Sequence, residues 1–96
     1  MPIVVVFDFP GEDTAKYRKV FELGGPAVNA QPSRLDHVCY TTDNGFTVID
    51  VWADEASFTA FGPIIGPALA GAGLDPKPTI HPLVATMGKD GRQVIY

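Results

Sequence analysis

Apolar residues crowd residues 2–9 (PIVVVFDF) with little alternation, and the run stops at Pro10-Gly11, a turn pair. That pattern predicts a strand buried on both faces. Asp13 or Thr14 can cap a following helix, in which Tyr17, Val20 and Phe21 hold the i, i+3, i+4 spacing of one helical face. Gly24-Gly25-Pro26 supplies its left-handed stop and a breaker. A polar loop through Asn29, Gln31, Pro32 and Ser33 leads to LDHVCYTT, then Asp43-Asn44-Gly45, then FTVIDVW, and Asn-Gly between two β-rich runs predicts an antiparallel hairpin. Asp54 then caps a second helix, with Glu55 in the first turn and Phe58, Phe61, Ile64, Ile65, Ala68 and Leu69 along one stripe. Pro63 and Pro67 each remove an amide donor and crowd the carbonyl four residues back. A kink or break is therefore expected near Gly62-Pro63, with a short segment onward to Gly71 or Gly73 and a wider gap above the sheet. Residues 77–86 (KPTIHPLVAT) read as a fourth strand, with Pro78 and Pro82 at an edge or bulge. Gly88-Lys89-Asp90-Gly91 turns into RQVIY, so 88–96 is an extra C-terminal strand or a tail.

The order βαββαβ predicts a single α+β domain over residues 1–96. It is the ferredoxin-like split βαβ arrangement, with a four-stranded antiparallel sheet in the order 4-1-3-2 and both helices on one face. Strands one and three are apolar on both faces, however, and helices cover only one of them. The open face is expected to meet a second copy of the chain as a homodimer, each subunit burying roughly 800 Å² or more.

Composition narrows the field. The chain has 96 residues, 46% of them hydrophobic and 19% charged, which suits one globular core and not a disordered segment. A formal charge of -4 argues against nucleic acid as a partner, because backbone binding needs a basic surface. Cys39 is the only cysteine, so neither an internal disulfide nor a cysteine zinc site is available. No secretory leader and no apolar run of about 20 residues occurs, which reads as a soluble, cytoplasmic protein with no membrane partner.

The strand-to-helix junction VIDVWADEASFTAF at residues 48–61 resembles the dimeric α+β barrel superfamily, which includes antibiotic biosynthesis monooxygenase-like proteins. A tryptophan ends a strand, an acidic cap follows, and aromatic residues open the helix. The continuation FGPIIGPALAGAGLDPKPTIHPL is similar to a small bacterial branch of that group, so the resemblance covers essentially the whole chain. It implies two sheets closed into a barrel by dimerisation, and a ligand held between the sheet and the helices of one subunit. Among the activities it implies are cofactor-free oxygenation, haem degradation, isomerisation and lactone formation. Where haem-binding members carry a histidine on the second helix, residues 55–71 have none.

Candidate chemistry gathers on the hairpin. A two-residue loop at Asn44-Gly45 would set His37 opposite Trp52 and Cys39 opposite Asp50, with all four side chains on one face and His37 diagonal to Asp50, about 7–8 Å between α-carbons. A three-residue loop would shift the register and separate them. A histidine held by a carboxylate can act as a general base near neutral pH, and the indole of Trp52 offers a flat wall. The same pair also reads as a satisfied core or interface histidine with a structural acceptor.

Tyr17, Phe58 and Phe61 should point at the sheet, as plain core or as a substrate wall. His81, on the fourth strand, is a packing residue or a further substrate contact. Asp36 should face away from the pair, Cys39 is an inert buried thiol, and Tyr40 and Asp8 are weaker candidates. Two histidines without tight spacing make no metal site, and neither GGP nor GAG follows a phosphate-binding pattern.

The leading expectation is a small homodimeric enzyme, free of cofactor and metal. It would act on a modest apolar or aromatic, oxygen-bearing molecule by monooxygenase-like or isomerase/cyclase-like chemistry, with His37 and Asp50 catalytic and Trp52, Tyr17, Phe58, Phe61 and His81 binding. The alternatives are a non-catalytic small-molecule-binding or assembly module, with a filled core and no pocket beyond a few waters, and a haem-binding protein using His37 or His81.

Overall fold

A computed structural model describes residues 1–96. The elements are β1 (Ile3–Pro10), α1 (Thr14–Asn29), β2 (Arg34–Thr41), β3 (Gly45–Trp52), α2 (Glu55–Ala72), β4 (Thr79–Pro82), β5 (Ala85–Met87) and β6 (Gln93–Ile95). The first four strands form one antiparallel sheet in the order β2-β3-β1-β4, which is the expected 4-1-3-2 read from the other edge. The fold is α+β and ferredoxin-like.

Strand period two decides what the helices cover. On β1 the odd positions Ile3, Val5, Phe7 and Phe9 pair with Trp52, Asp50, Val48 and Phe46 of β3. These eight face the helices, and all but Phe7 and Asp50 divide between two apolar clusters, with Phe7 packed against both. One gathers Phe9, Phe46 and Val48 with Val20 of α1 and Ala68, Leu69 and Ala72 of α2. The other gathers Ile3, Val5 and Trp52 with Val28 and Phe61. Asp50 lies between the two along β3, a buried carboxylate in an otherwise apolar layer.

Both helices start where local chemistry predicts. Asp13, not Thr14, caps α1 by accepting from the Ala15 amide at 2.7 Å, and Asp54 caps α2 by accepting from the Ser57 amide at 2.7 Å. That amide hydrogen bond holds the Asp54 carboxyl below the usual carboxylate range.

Four expectations are corrected. First, the expected break does occur at Gly25 (φ 61, ψ -155), but it does not end the helix, which resumes from Pro26 to Asn29. The extra turn buries Val28 in the second cluster. Its last carbonyls, on Val28 and Asn29, accept from the Arg34 guanidinium at 3.1 and 2.7 Å. Second, α2 runs unbroken to a left-handed cap at Gly73, so no gap opens at Gly62-Pro63. Pro63, Pro67 and Thr59 are all exposed, so carbonyls deprived of amide partners face water. Third, the expected strand 77–86 is two pieces. β4 pairs with β1, whereas β5 turns away after Pro82 and pairs with β6 as a separate two-stranded hairpin.

Fourth, the β2–β3 turn lies one residue earlier than expected. Gly45 belongs to β3, and the two-residue loop is Asp43-Asn44, closed by the Thr42 amide on Gly45 O at 2.9 Å. Gly45 is required for a reason other than turn geometry: a β-carbon there would stand 2.2 Å from the Phe9 carbonyl oxygen of the adjacent strand. The glycine permits close backbone approach instead of a positive φ.

Candidate active site

The corrected turn moves the register by a whole residue on each strand, so every side chain keeps its expected face. His37 then sits directly opposite Asp50, not Trp52, and Cys39 opposite Val48. The expected diagonal pair is a direct pair. One irregularity completes the site. Arg34 pairs with Trp52 and Asp36 with Val51, so Leu35 is an extra residue, and this bulge turns Arg34 onto the same face as His37.

His37 Nδ1 lies 2.5 Å from Asp50 Oδ1, and His37 Nε2 lies 2.7 Å from the hydroxyl of Tyr17 on α1. Asp50 is only 4% exposed and its carboxylate accepts, so the imidazole proton sits on Nδ1. Nε2 is then the acceptor, and Tyr17 donates to it. The result is a continuous chain from a buried carboxylate through an imidazole to a phenol. Burial is the main reason the Tyr17 hydroxyl is pushed above its ordinary value of 10.0, with Cys39 and Asp50 acting in the same direction and Arg34 against them. The Tyr17 ring is wedged by Phe21 and Phe46, with ring centres at 4.9 and 6.0 Å.

These groups border a cavity of about 40 Å³ between sheet and helices. Its walls are apolar, including Phe7, Phe21, Phe46 and Ile65, and its charged or titratable lining is Arg34, His37, Asp50 and Tyr17. A space of that size holds roughly two or three waters. The arrangement can take a proton from a molecule in an apolar enclosure and hold the resulting imidazolium against a carboxylate.

The structure redistributes the expected binding residues. Phe61 lines the cavity, as does Tyr17, which is also bonded to the imidazole. Trp52 is fully buried in the core against Phe58 and Phe61, with its indole N–H unpartnered, and does not reach the cavity wall. The Arg34 guanidinium lies over it, 6.0 Å from the ring centre. Phe58 packs edge-on between Phe7 and Trp52, also behind the wall. His81 pairs with Val4 on the opposite, open face of the sheet and is exposed, because its strand position has the wrong parity for the cavity.

Asp36 faces outward as expected and accepts from the His37 amide at 2.9 Å. Asp8 accepts from Thr47 on the open face at 2.6 Å. Tyr40 is exposed there too. Burial raises the Cys39 thiol above its ordinary value of 9.0, against the nearby Arg18, and so favours its protonated form. Both nitrogens of His37 are engaged and His81 is on the wrong face, so neither is poised to ligate haem in the cavity. No group of three or more His, Cys, Asp or Glu residues could hold a metal ion.

Sequence reasoning missed Arg34. Three residues from His37 on a regular strand, it would face the other way, and nothing local announces the bulge. The hydroxyl role of Tyr17 was missed as well.

No protein-family model matches the chain, and no curated protein matches it. Solved structures do. SnoaB of Streptomyces nogalater, a cofactor-independent oxygenase, matches at TM-score 0.61 and 22% identity, covering 92% of this chain and 96% of that one. A dimeric ferredoxin-like protein of unknown function from Thermobifida fusca matches at TM-score 0.62 and 21% identity, over 86% and 92%. A Chloroflexus aurantiacus protein provisionally described as an antibiotic biosynthesis monooxygenase matches at TM-score 0.67 and 16% identity, over 92% and 98%. The chain therefore has the ferredoxin-like fold of the antibiotic biosynthesis monooxygenase-like proteins.

Proposed function

We propose that the protein is a small cofactor-independent, monooxygenase-like or isomerase-like enzyme that removes a proton from a modest apolar or aromatic, oxygen-bearing molecule. The observation that carries this reading is the buried Asp50 holding His37 at 2.5 Å on the edge of an apolar cavity. The abstracted proton ends on His37. The electron-rich product then reacts with oxygen or accepts a proton at another carbon. SnoaB, a cofactor-independent oxygenase of the same fold, supports the oxygenase form of the reading.

The working unit in this proposal is a homodimer. Val4, Val6, Val38, Ile49 and Val51 make the open face of the sheet apolar, and a second copy is the natural cover for it. The Thermobifida fusca neighbour is dimeric. Admission of a ring-sized molecule requires Phe21 and Ile65, both only partly buried, to give way, since the cavity at rest has room for only a few waters.

That small volume favours a second reading, a non-catalytic binding or assembly module in which the polar chain merely satisfies the core. Turnover of small phenols, enols and quinols, followed by oxygen uptake and product analysis, separates the two. The enzyme reading expects His37→Gln to lower kcat by at least about 100-fold, the scale of general base catalysis, while ligand-induced thermal stabilisation persists. Equal turnover in wild type and variant, with only stability altered, would leave the binding module standing.

A further inference from the structure

Neither nitrogen of His37 is open to a bound molecule: Nδ1 is held by Asp50 and Nε2 by the Tyr17 hydroxyl. A base whose acceptor nitrogen is already occupied has two ways to work. Either Tyr17 leaves, or it transmits the proton. Its position argues for transmission. The Tyr17 ring is braced by Phe21 and Phe46, and it lies within 15° of the imidazole plane, so its hydroxyl can lie along the Nε2 lone pair. Tyr17 also lines the cavity itself. Carboxylate, imidazole and hydroxyl follow one another in the connectivity by which hydrolases activate a serine, with a phenol in the serine's place.

Resting on the general-base reading above, we infer that Tyr17 Oη is the atom that exchanges a proton with the bound molecule, and that His37 and Asp50 act through it. The substrate class is a carbon acid, a ketone or phenol-like ring with an acidic C–H. The C–H bond breaks as its proton joins Tyr17 Oη, and the phenol's own proton passes to His37 Nε2. The electron pair stays on the substrate as an enolate, and the imidazolium charge faces Asp50. Tyr17 is neutral before and after, so no oxidant, reductant or free phenolate is needed.

The surroundings suit such a shuttle. Burial holds the resting phenol in its protonated, donating form, while Arg34, the cation bordering the same cavity, favours the negative charge that develops on Oη in transit.

The test uses 2-tetralone in deuterated water, with loss of the proton signal next to its carbonyl followed by NMR in wild type, Tyr17→Phe and His37→Gln. The relay expects wild type to accelerate exchange and each variant to lose at least about 100-fold in kcat. It also expects 3-fluorotyrosine at position 17 to restore exchange with a pH profile displaced toward acid, which a merely structural phenol would not do. If Tyr17→Phe exchanges as fast as wild type or faster while His37→Gln is inactive, the relay is overturned and the general-base reading survives. If wild type gives no acceleration, or both variants match it, both readings fall together. Independently of the probe, nitrogen NMR of the His37 ring must show the resting proton on Nδ1. A proton on Nε2 at neutral pH would overturn the relay alone.

Discussion

Asp50 is a carboxylate almost cut off from water, tolerated in an apolar layer because His37 Nδ1 donates to it at 2.5 Å. Tyr17 and Cys39 carry the complementary burden: burial penalises their ionised forms and raises both above their ordinary values of 10.0 and 9.0. A group whose value is raised on folding contributes stability that is complete below its unfolded value and is lost as pH climbs through its folded value. The urea midpoint should therefore hold steady to about pH 9 and decline above it, with Tyr17→Phe flattening the part of the decline that begins near pH 10. A midpoint independent of pH from 8 to 11 would contradict the assigned burial of both groups. At this scale the sequence was partly legible. Strand parity placed His37 and Asp50 on one face, but nothing local shows that a helical tyrosine reaches a histidine 20 positions on. Trp52 looked like a substrate wall because it shares a strand face with His37 and Asp50; its large apolar ring is instead drawn into contact with Phe58 and Phe61.

At the scale of elements, the helix starts and strand centres follow from local pattern, while the departures come from contacts between elements. The prolines of α2 read as breakers, yet both sit on its exposed side, where an unpaired carbonyl is solvated and the helix continues. Gly45 read as a turn residue because Asn-Gly is a strong hairpin signal, but the neighbouring Phe9 carbonyl uses its missing side chain. Gly45→Ala should thus cost about 1–3 kcal/mol in urea unfolding through overpacking against backbone that cannot move cheaply. A loss within a few tenths would mean that β1 and β3 are not in the close register described. The Leu35 bulge is likewise invisible locally, and it alone brings Arg34 to the cavity and to the carbonyl end of α1.

For the whole molecule, the decisive feature is a sheet apolar on both faces with helices on one. Val38 is 51% exposed on the open face, so Val38→Asp should leave the folded subunit intact and prevent its pairing. Sedimentation is expected to show about twice the 10.3 kDa chain mass for the native protein at micromolar concentration and the single mass for the variant. A folded native species at the single mass would remove the dimer and its cover for this face. By itself the sequence determined the βαββαβ order as far as β4, the α+β fold, the order of the four-stranded sheet and which face of each strand holds His37 and Asp50, because side-chain periods of 2 and 3.6 are local properties of the backbone. Only the tertiary structure decided the direct His37–Asp50 pairing, the link to Tyr17, the arrival of Arg34 and the withdrawal of Trp52 and His81. Each of these depends on register, on a bulge or on the approach of a helix to a sheet, which are set by the sum of distant contacts and not by any neighbouring residue.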